Sequence, residues 1–243
     1  MADPRLELID RRLSTIDRII AVCSGKGGVG KSVVASTMAL LLSRRGLKVG
    51  LLDLDFTCPA THIILGVGDA MPEEERGLIP PEVNGLEYMS LIYYTAGRPT
   101  PLRGVDISNA IVELLSITRW GRLNHLIVDM PPGLGDATLE LLRLIPGMEF
   151  LIVTTPSRVA FQTVRRLIEL LRHLDRRIIG VVENMVMESS KPIRGEVEAL
   201  SLRYLGSIPF DPGLEEALGD AEALLETRFA EALEGVVSAL LPD

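Results

Sequence analysis

Residues 24–32, Ser-Gly-Lys-Gly-Gly-Val-Gly-Lys-Ser, combine the residue types that bind a polyphosphate. The fixed positions of the pattern G-x-x-x-x-G-K-[ST] are Gly25, Gly30, Lys31 and Ser32. Glycines let backbone N–H groups approach phosphate oxygens with no Cβ in the way, and the following helix directs its positive end at the same anion. Lys31 supplies a mobile charge and Ser32 a hydroxyl for Mg²⁺. The predicted phosphate-binding residues are Gly25, Lys26, Gly27, Gly28, Val29, Gly30, Lys31, Ser32 and Val33.

The sequence around this loop provides the setting that a phosphate site needs. Residues 18–23 form an apolar run that predicts a buried strand, and residues 33–45 predict a helix. Two of the four lysines of the chain, Lys26 and Lys31, lie in the loop between them. A strand, a glycine-rich loop and a helix in this order distinguish a phosphate site from a chance match. We therefore predict nucleotide binding.

The rest of the chain alternates apolar runs with amphipathic stretches. The other predicted strands are residues 48–55, 86–92, 125–129, 150–155, 177–182 and 204–210. The other predicted helices are residues 5–16, 106–118, 137–144, 158–174 and the stretch from residue 214 onward. Residues 66–84 and the loop with Gly97, Pro99 and Pro101 are predicted as irregular excursions. This order predicts a doubly wound α/β fold, a mainly parallel sheet with helices on both faces, as in P-loop NTPases.

Length and composition limit the classes of protein. A chain of 243 residues with 47% hydrophobic residues fits one domain over residues 1–243, with a helix at 1–16 and helices at 214–243 docked on it. The net charge of −8 disfavours nucleic acid as a partner. We expect the basic face around Arg165 and Arg172 to be solvated. No apolar run approaches the ~18 residues of a membrane span, and the charged N-terminus is no secretory signal. We expect a cytoplasmic protein without membrane insertion.

Acidic residues end two predicted strands, so their carboxylates are expected at the same carboxyl edge of the sheet. Asp129 precedes Pro-Pro-Gly, which predicts a carboxylate that holds Mg²⁺ through water and a Gly133 amide that faces the γ-phosphate. Asp53 and Asp55 end the neighbouring strand, where open α/β sheets bind ligands. One of this pair can address metal-bound water and the other can orient an attacking water. The predicted metal-binding residues are Ser32, Asp53, Asp55 and Asp129.

The base of the nucleotide is predicted from a sequence pattern that is missing and from one side chain. The chain has no [NT]-K-x-D pattern, whose aspartate accepts hydrogen bonds from guanine. Asn184 follows the predicted strand at 177–182, and its amide offers a donor and an acceptor to the adenine edge. ATP is therefore preferred over GTP.

Several stretches together resemble one family. Lys26 is the extra lysine of the deviant phosphate loop in the MinD/ParA/nitrogenase-iron-protein group. Within that group, the chain resembles the Mrp-type iron–sulfur cluster carrier ATPases through LLDLDFTCP at 51–59, LIVDMPPGLGD at 126–136, VTTPSRVAFQTVRR at 153–166 and GVVENM at 180–185. Arg103-Gly104 and Trp120-Gly121 fit the same pattern.

The resemblance implies a homodimer with two ATP molecules near its interface. It implies that Lys26 reaches the partner's nucleotide, and that Asp55 and Asp129 lie in the two switch segments. It also implies that Pro209, Phe210 and Asp211 surround adenine together with Asn184. On this basis the predicted catalytic residues are Lys26, Lys31 and Asp55, with Asp55 setting the attacking water.

One departure from the family concerns the cluster itself. Mrp-type carriers usually have C-x-x-C shortly after the Asn-Met of the strand, whereas this chain has Ser189 and Ser190 there. Serine hydroxyls are not the thiolates that iron prefers. The thiols of the chain are Cys23 and Cys58, so the sequence leaves cluster binding open.

The sequence predicts an ATP- and Mg²⁺-dependent ATPase that works as a nucleotide-driven switch. The first interpretation is an Mrp-like factor in iron–sulfur cluster assembly or transfer, with assembly or client proteins as partners. The alternatives are a MinD/ParA-like positioning ATPase and a nucleotide-sensing interaction module that does not bind a cluster.

Overall fold

A computed structural model describes residues 3–56, 58–95, 105–188 and 193–241. The strands are β1 (Ile16–Ser24), β2 (Val49–Asp53), β3 (Glu73–Glu74), β4 (Leu78–Ile79), β5 (Glu82–Val83), β6 (Leu86–Ser90), β7 (Leu123–Asp129), β8 (Glu149–Thr154), β9 (Arg177–Val186) and β10 (Tyr204–Pro209). The helices are α1 (Pro4–Leu13), α2 (Lys31–Arg44), α3 (Thr61–Ile64), α4 (Ile92–Thr95), α5 (Val105–Ile117), α6 (Asp136–Leu144), α7 (Arg158–His173), α8 (Arg194–Ala199), α9 (Leu214–Ala217), α10 (Ala221–Leu225) and α11 (Arg228–Leu240). The predicted loop at 97–101 and residues Arg103, Gly104, Ser189 and Ser190 lie outside the described residues.

Within the described ranges, eight strands form one sheet in the order β10-β9-β8-β1-β7-β2-β6-β5. All neighbours in this sheet are parallel except β5, which is antiparallel to β6. The chain adds strands on both sides of β1, so the carboxyl ends of β1, β2 and β7 meet at one edge of the sheet. The predicted doubly wound, mainly parallel sheet is confirmed.

Apolar layers cover both faces of the sheet. One layer includes Leu115 of α5, Leu141 of α6 and Phe161 of α7, and the other includes Met38 of α2 and Phe229 of α11. These side chains are at most 1% exposed, so helices on each face exclude water from the strands. None of the helices in the described ranges has the length and apolar character to span a bilayer.

Three predictions of local structure need correction. The first helix ends at Leu13, because the chain joins the sheet at Ile16 and runs beside β7. β9 extends to Val186, so Asn184 lies inside the strand and not after it. The predicted excursion at 66–84 contains the antiparallel pair β3 and β4 and the edge strand β5. These two-residue strands are too short to show a periodic pattern in the sequence.

Candidate functional site

The glycine-rich loop turns sharply between β1 and α2, and its backbone requires glycine at defined positions. Gly28 and Gly30 have φ angles of +76° and +81°, in the region that side chains disfavour. A Cβ at Gly30 would come within 2.3 Å of the Asn184 amide nitrogen. A Cβ at Gly25 would come within 2.6 Å of the α7 backbone at Thr163. The close approach of α7 and of Asn184 therefore requires glycine at positions 25 and 30.

The loop borders a cleft of about 440 Å³, a volume typical of small-molecule sites. Its walls come from four parts of the chain: the loop with the start of α2, the segment after β2 with α3, the turn after β7, and the link between α9 and α10. Representative lining residues are Lys26, Lys31, Ser32, Asp55, Cys58, Ile63, Pro132 and Leu218. The cleft thus combines two lysines and a carboxylate with an apolar wall.

Lys31 lies at the centre of the charged part of this cleft and is only 6% exposed. Its Nζ donates to Oδ1 of Asp129 at 2.5 Å and lies 3.8 Å from Oδ2 of Asp55. The Ser32 hydroxyl accepts from the same Nζ at 3.3 Å. The structure therefore brings together four of the predicted site residues, which come from α2, the end of β7 and the segment after β2.

Asp129 is fully buried, and burial raises the pKa of its carboxyl to about 7 although the Lys31 charge acts in the opposite direction. Its Oδ2 has no hydrogen-bond partner among the described residues. This buried oxygen and the Ser32 hydroxyl are hard oxygen donors of the kind that Mg²⁺ takes. In the described ranges no three His, Cys, Asp or Glu side chains gather as a metal site.

Asp53 has a different environment from the one predicted for a metal ligand. Its Oδ1 accepts from the backbone N–H of Asp55 at 3.0 Å. Its Oδ2 accepts from the N–H and the hydroxyl of Thr61 at 3.2 and 2.6 Å. Burial raises the pKa of Asp53. Both carboxylate oxygens therefore hold the chain after β2 in place.

Asp55 lines the cleft as predicted, whereas Gly133 does not point its amide into it. The Asp55 Oδ1 accepts from the backbone N–H of Cys58 at 3.2 Å, and its Oδ2 is the oxygen near Lys31. The Gly133 N–H donates to the carbonyl oxygen of Ser24 at 3.1 Å. A backbone donor at this edge takes an internal partner, so the turn must open for that amide to reach a phosphate.

Lys26 is exposed on the outer side of the loop. Its carbonyl oxygen accepts from the Ser24 hydroxyl at 2.9 Å, which fixes the backbone of the loop and not the ammonium group. The residue also lines the cleft.

The predicted adenine residues lie together at the ends of β9 and β10, but their side chains have different tasks. The Asn184 amide nitrogen donates to the carbonyl oxygen of Val29 at 2.9 Å, so it supports the phosphate loop from below. Phe210 is 54% exposed next to Pro209. The Asp211 carboxylate accepts from the N–H groups of Gly213 and Phe229 and holds the C-terminal helices.

The two cysteines lie in different environments. Cys23 is 3% exposed within β1, and burial raises the pKa of its thiol to about 12. Cys58 is exposed and lines the cleft. Cys23 is therefore a core residue, and Cys58 is the thiol that solvent and ligands can reach.

Two residues of this region have no signal in the sequence. Thr61 and Tyr88 are fully buried, and their hydroxyl oxygens are 2.9 Å apart beside Asp53. Thr61 begins α3 and Tyr88 is in the middle of β6. A threonine and a tyrosine so far apart in the chain form no motif, and only the pairing of β2 with β6 brings them together.

The sequence of the chain also matches a known protein family. A family model described as ParA: NUBPL iron-transfer P-loop NTPase matches residues 15–241. The chain belongs to this family.

Relatives in this family carry the name iron-sulfur cluster carrier protein. One from Aquifex aeolicus is 36% identical over 231 residues, which cover 88% of this chain and 64% of that protein. One from Saccharolobus solfataricus is 36% identical over 228 residues, which cover 86% of this chain and 76% of that protein. A third, from Pseudomonas fragi, is 38% identical over 72% of this chain and 62% of its own length. The matched part is therefore less than two thirds of the Pseudomonas and Aquifex proteins.

Solved structures with the same fold include two nucleotide complexes. A nucleotide-binding protein from Archaeoglobus fulgidus in complex with ADP has a TM-score of 0.78 and 30% identity, over 91% of this chain and 93% of that one. The septum site-determining protein MinD from Pyrococcus horikoshii, complexed with Mg-ADP, has a TM-score of 0.70 and 20% identity, over 90% of this chain and 94% of that one. The second likeness concerns the fold alone.

Proposed function

We propose that this chain binds and hydrolyses ATP with Mg²⁺ and works as a nucleotide-driven switch in iron–sulfur cluster assembly or transfer. The observation that carries the proposal is the convergence of Lys31, Asp55 and Asp129 at the mouth of the glycine-rich loop. Membership of the iron-transfer P-loop NTPase family and relatives named as cluster carriers support it.

The residues of the cleft have complementary tasks in hydrolysis. The loop amides and Lys31 stabilise the charge that develops on the transferring phosphoryl group, and Asp55 orients the attacking water. Ser32 and Asp129 would hold Mg²⁺, which would supply charge neutralisation for the phosphates. Because the Lys31 ammonium pairs with Asp129 in the structure, ATP must take over Lys31 when it binds. Through this exchange of partners, nucleotide binding changes the charge around Asp129 at the end of β7.

The second part of the proposal is that two copies close around two ATP molecules. The exposed Lys26 at the mouth of the cleft supports this, because its ammonium can extend to a nucleotide on a facing subunit. Asn184 would act through the loop that holds the phosphates, and the exposed Phe210 ring would cover adenine. Hydrolysis would be slow and stimulated by a partner, and the protein would act in the cytoplasm.

The third part concerns the cluster. Cys23 is buried in the core, so Cys58 is the reachable thiol of the described chain. One thiol in each subunit falls short of the ligand set that iron–sulfur clusters use. We therefore place this chain as an ATPase partner that acts on client or assembly proteins which hold the cluster.

Nucleotide binding and turnover test the first part. Purified protein is titrated with ATP and Mg²⁺ in a calorimeter, and phosphate release is followed for wild type, Lys31→Ala and Lys48→Ala. Lys48 is an exposed lysine at the opposite end of β2 and serves as the matched control. Binding and turnover that survive in Lys31→Ala would overturn the assignment of the cleft.

Three further measurements separate the remaining parts. Light scattering with and without ATP reports dimer closure, which Lys26→Ala should weaken. Anaerobic incubation with iron and sulfide, followed by an absorbance spectrum, reports cluster binding in wild type and Cys58→Ser. A cluster bound by wild type and lost in Cys58→Ser would show carriage by this chain itself. ATP-dependent sedimentation with DNA or vesicles would instead favour a MinD/ParA-type role.

A further inference from the structure

Asp53 fixes both ends of the short segment that follows β2. Its Oδ1 accepts from the Asp55 N–H, and its Oδ2 accepts from both the N–H and the hydroxyl of Thr61. Asp55 is itself one attachment point, and Cys58 lies between it and Thr61. Because three donors from one segment converge on one buried carboxylate, the position of Asp55 depends on them.

Tyr88 extends this arrangement by one hydrogen bond. An ionised carboxylate only accepts, so the Thr61 hydroxyl uses its proton on Asp53. The 2.9 Å contact between Thr61 Oγ1 and the Tyr88 hydroxyl must then be donated by Tyr88. The result is a directed chain from Tyr88 to Thr61 to Asp53. All three side chains are fully buried, so water cannot replace any of these bonds.

We propose that Thr61 and Tyr88 are positioning residues, which act through Asp53 to hold Asp55 in place for ATP hydrolysis. We call Asp53, Thr61 and Tyr88 the Asp53 clamp. The inference rests on the proposed ATPase function. It gives the first aspartate of the pair a task of its own, which is to aim the second.

The direction of the bonds distinguishes this role from ordinary core packing. Burying a carboxylate is costly, and well-packed apolar residues often stabilise a core as well or better. Among the described residues, the hydrogen bonds that the Asp53 carboxylate accepts come from Asp55 and Thr61, at the two ends of this segment. Tyr88 belongs to β6 and pairs with Leu51 of β2, which precedes Asp53 by two positions. The clamp therefore ties the segment to the rigid sheet at two strands.

Cys58 provides a readout that does not depend on turnover. Its thiol is exposed within the clamped segment, whereas Cys23 is buried. We would follow the reaction of wild-type protein, without nucleotide, with an aromatic disulfide reagent. Thr61→Val removes the hydroxyl at nearly constant shape and should raise the Cys58 reaction rate about fivefold, the scale of one lost hydrogen bond. Thr61→Ser keeps the hydroxyl and should stay within about twofold of wild type.

Thr118→Val is the matched control. Thr118 is 1% exposed, and its hydroxyl donates to the carbonyl oxygen of Leu114 at the end of α5, outside the clamp. It loses one buried hydrogen bond, as Thr61→Val does, but should leave the Cys58 rate unchanged. Tyr88→Phe removes only the last donor of the chain and should raise the rate about threefold. Tyr88→Phe keeps the test decisive if Thr61→Val does not fold.

Kinetics with ATP complete the experiment. Thr61→Val should lower kcat about tenfold and change the dissociation constant for ATP less than twofold, because Asp55 acts on the attacking water and not on binding. Thr61→Ser should restore kcat. A folded Thr61→Val with wild-type Cys58 reactivity and wild-type kcat would overturn the proposal, as would equal effects in Thr118→Val. If wild type does not hydrolyse ATP, the proposed function fails, and the Cys58 rates still decide whether the clamp holds the segment.

Discussion

The Nζ of Lys31 lies 2.5 Å from Oδ1 of Asp129, and both groups are withdrawn from solvent at the carboxyl edge of the sheet. The sequence motif assigns this lysine to the phosphates of a nucleotide. In the structure it neutralises the carboxylate that ends β7. Phosphate and Asp129 therefore compete for one cation, and binding of one changes the charge that the other experiences.

Replacing Lys31 tests this competition. Lys31→Ala should weaken ATP binding by more than about 100-fold, or about 3 kcal/mol, because a charged donor to the phosphates is lost. Calorimetric titration with ATP and Mg²⁺ measures the change, and circular dichroism checks the fold. Lys48→Ala should bind ATP as wild type does. A Lys31→Ala protein with wild-type affinity would contradict the assignment.

Asp55 should act on turnover and not on affinity. Asp55→Asn keeps an oxygen for the Cys58 N–H but loses the charge that orients water, so kcat should fall about 100-fold or more. The dissociation constant for ATP should change less than about threefold. Phosphate-release assays and titrations on the same preparations measure both values. The control is Asp69→Asn, an exposed carboxylate outside the cleft; a wild-type kcat in Asp55→Asn would move the water-orienting task elsewhere.

The loop glycines differ in what a methyl group would meet. Gly30→Ala should lower the free energy of unfolding by about 2 kcal/mol, because φ is +81° and the new Cβ would press on the Asn184 amide. Gly27→Ala meets nothing within 4 Å and should leave the free energy of unfolding within about 0.5 kcal/mol of wild type. Urea unfolding of the two variants measures the difference. Equal stability would mean that the loop relaxes around the added methyl group.

His125 should make stability depend on pH. The ring is 6% exposed, both nitrogens lack hydrogen-bond partners among the described residues, and burial lowers its pKa below the ordinary value. Arg18 acts in the same direction, whereas Asp17 and Glu149 oppose it. The unfolded chain therefore takes up a proton first. The contribution of His125 to stability is complete above pH 6.5 and is lost as the pH falls through the lowered pKa.

Comparison with a variant isolates this contribution. His125→Phe cannot titrate, so its free energy of unfolding should fall less than that of wild type between pH 7.5 and pH 5.5 in urea titrations. Asp129, with its pKa raised to about 7, acts in the opposite direction over this range, but it is present in both proteins and cancels. Parallel curves for wild type and variant would show that His125 is protonated alike in the folded and unfolded chain.

Most of the fold could be predicted from local patterns in the sequence. Long buried strands and amphipathic helices have periods that a sequence displays, so β1, β7, β8 and α7 were predictable within one or two residues. The two-residue strands and the six-residue α8 are too short to repeat a period of 2 or 3.6 residues recognisably, so they could not be predicted in this way. Their formation depends on neighbours that the rest of the fold supplies.

The sequence by itself determined the phosphate loop, the central sheet and the acidic residues at its edge, because each follows from residue types within a few positions of one another. Only the tertiary structure decided what those residues contact. In the structure, the Thr61 hydroxyl donates to Asp53, the Asn184 amide donates to the carbonyl oxygen of Val29, and the Gly133 N–H donates to the carbonyl oxygen of Ser24. Side-chain partners across strands depend on register and on the packing of distant elements, and this information is not present in any local stretch of sequence.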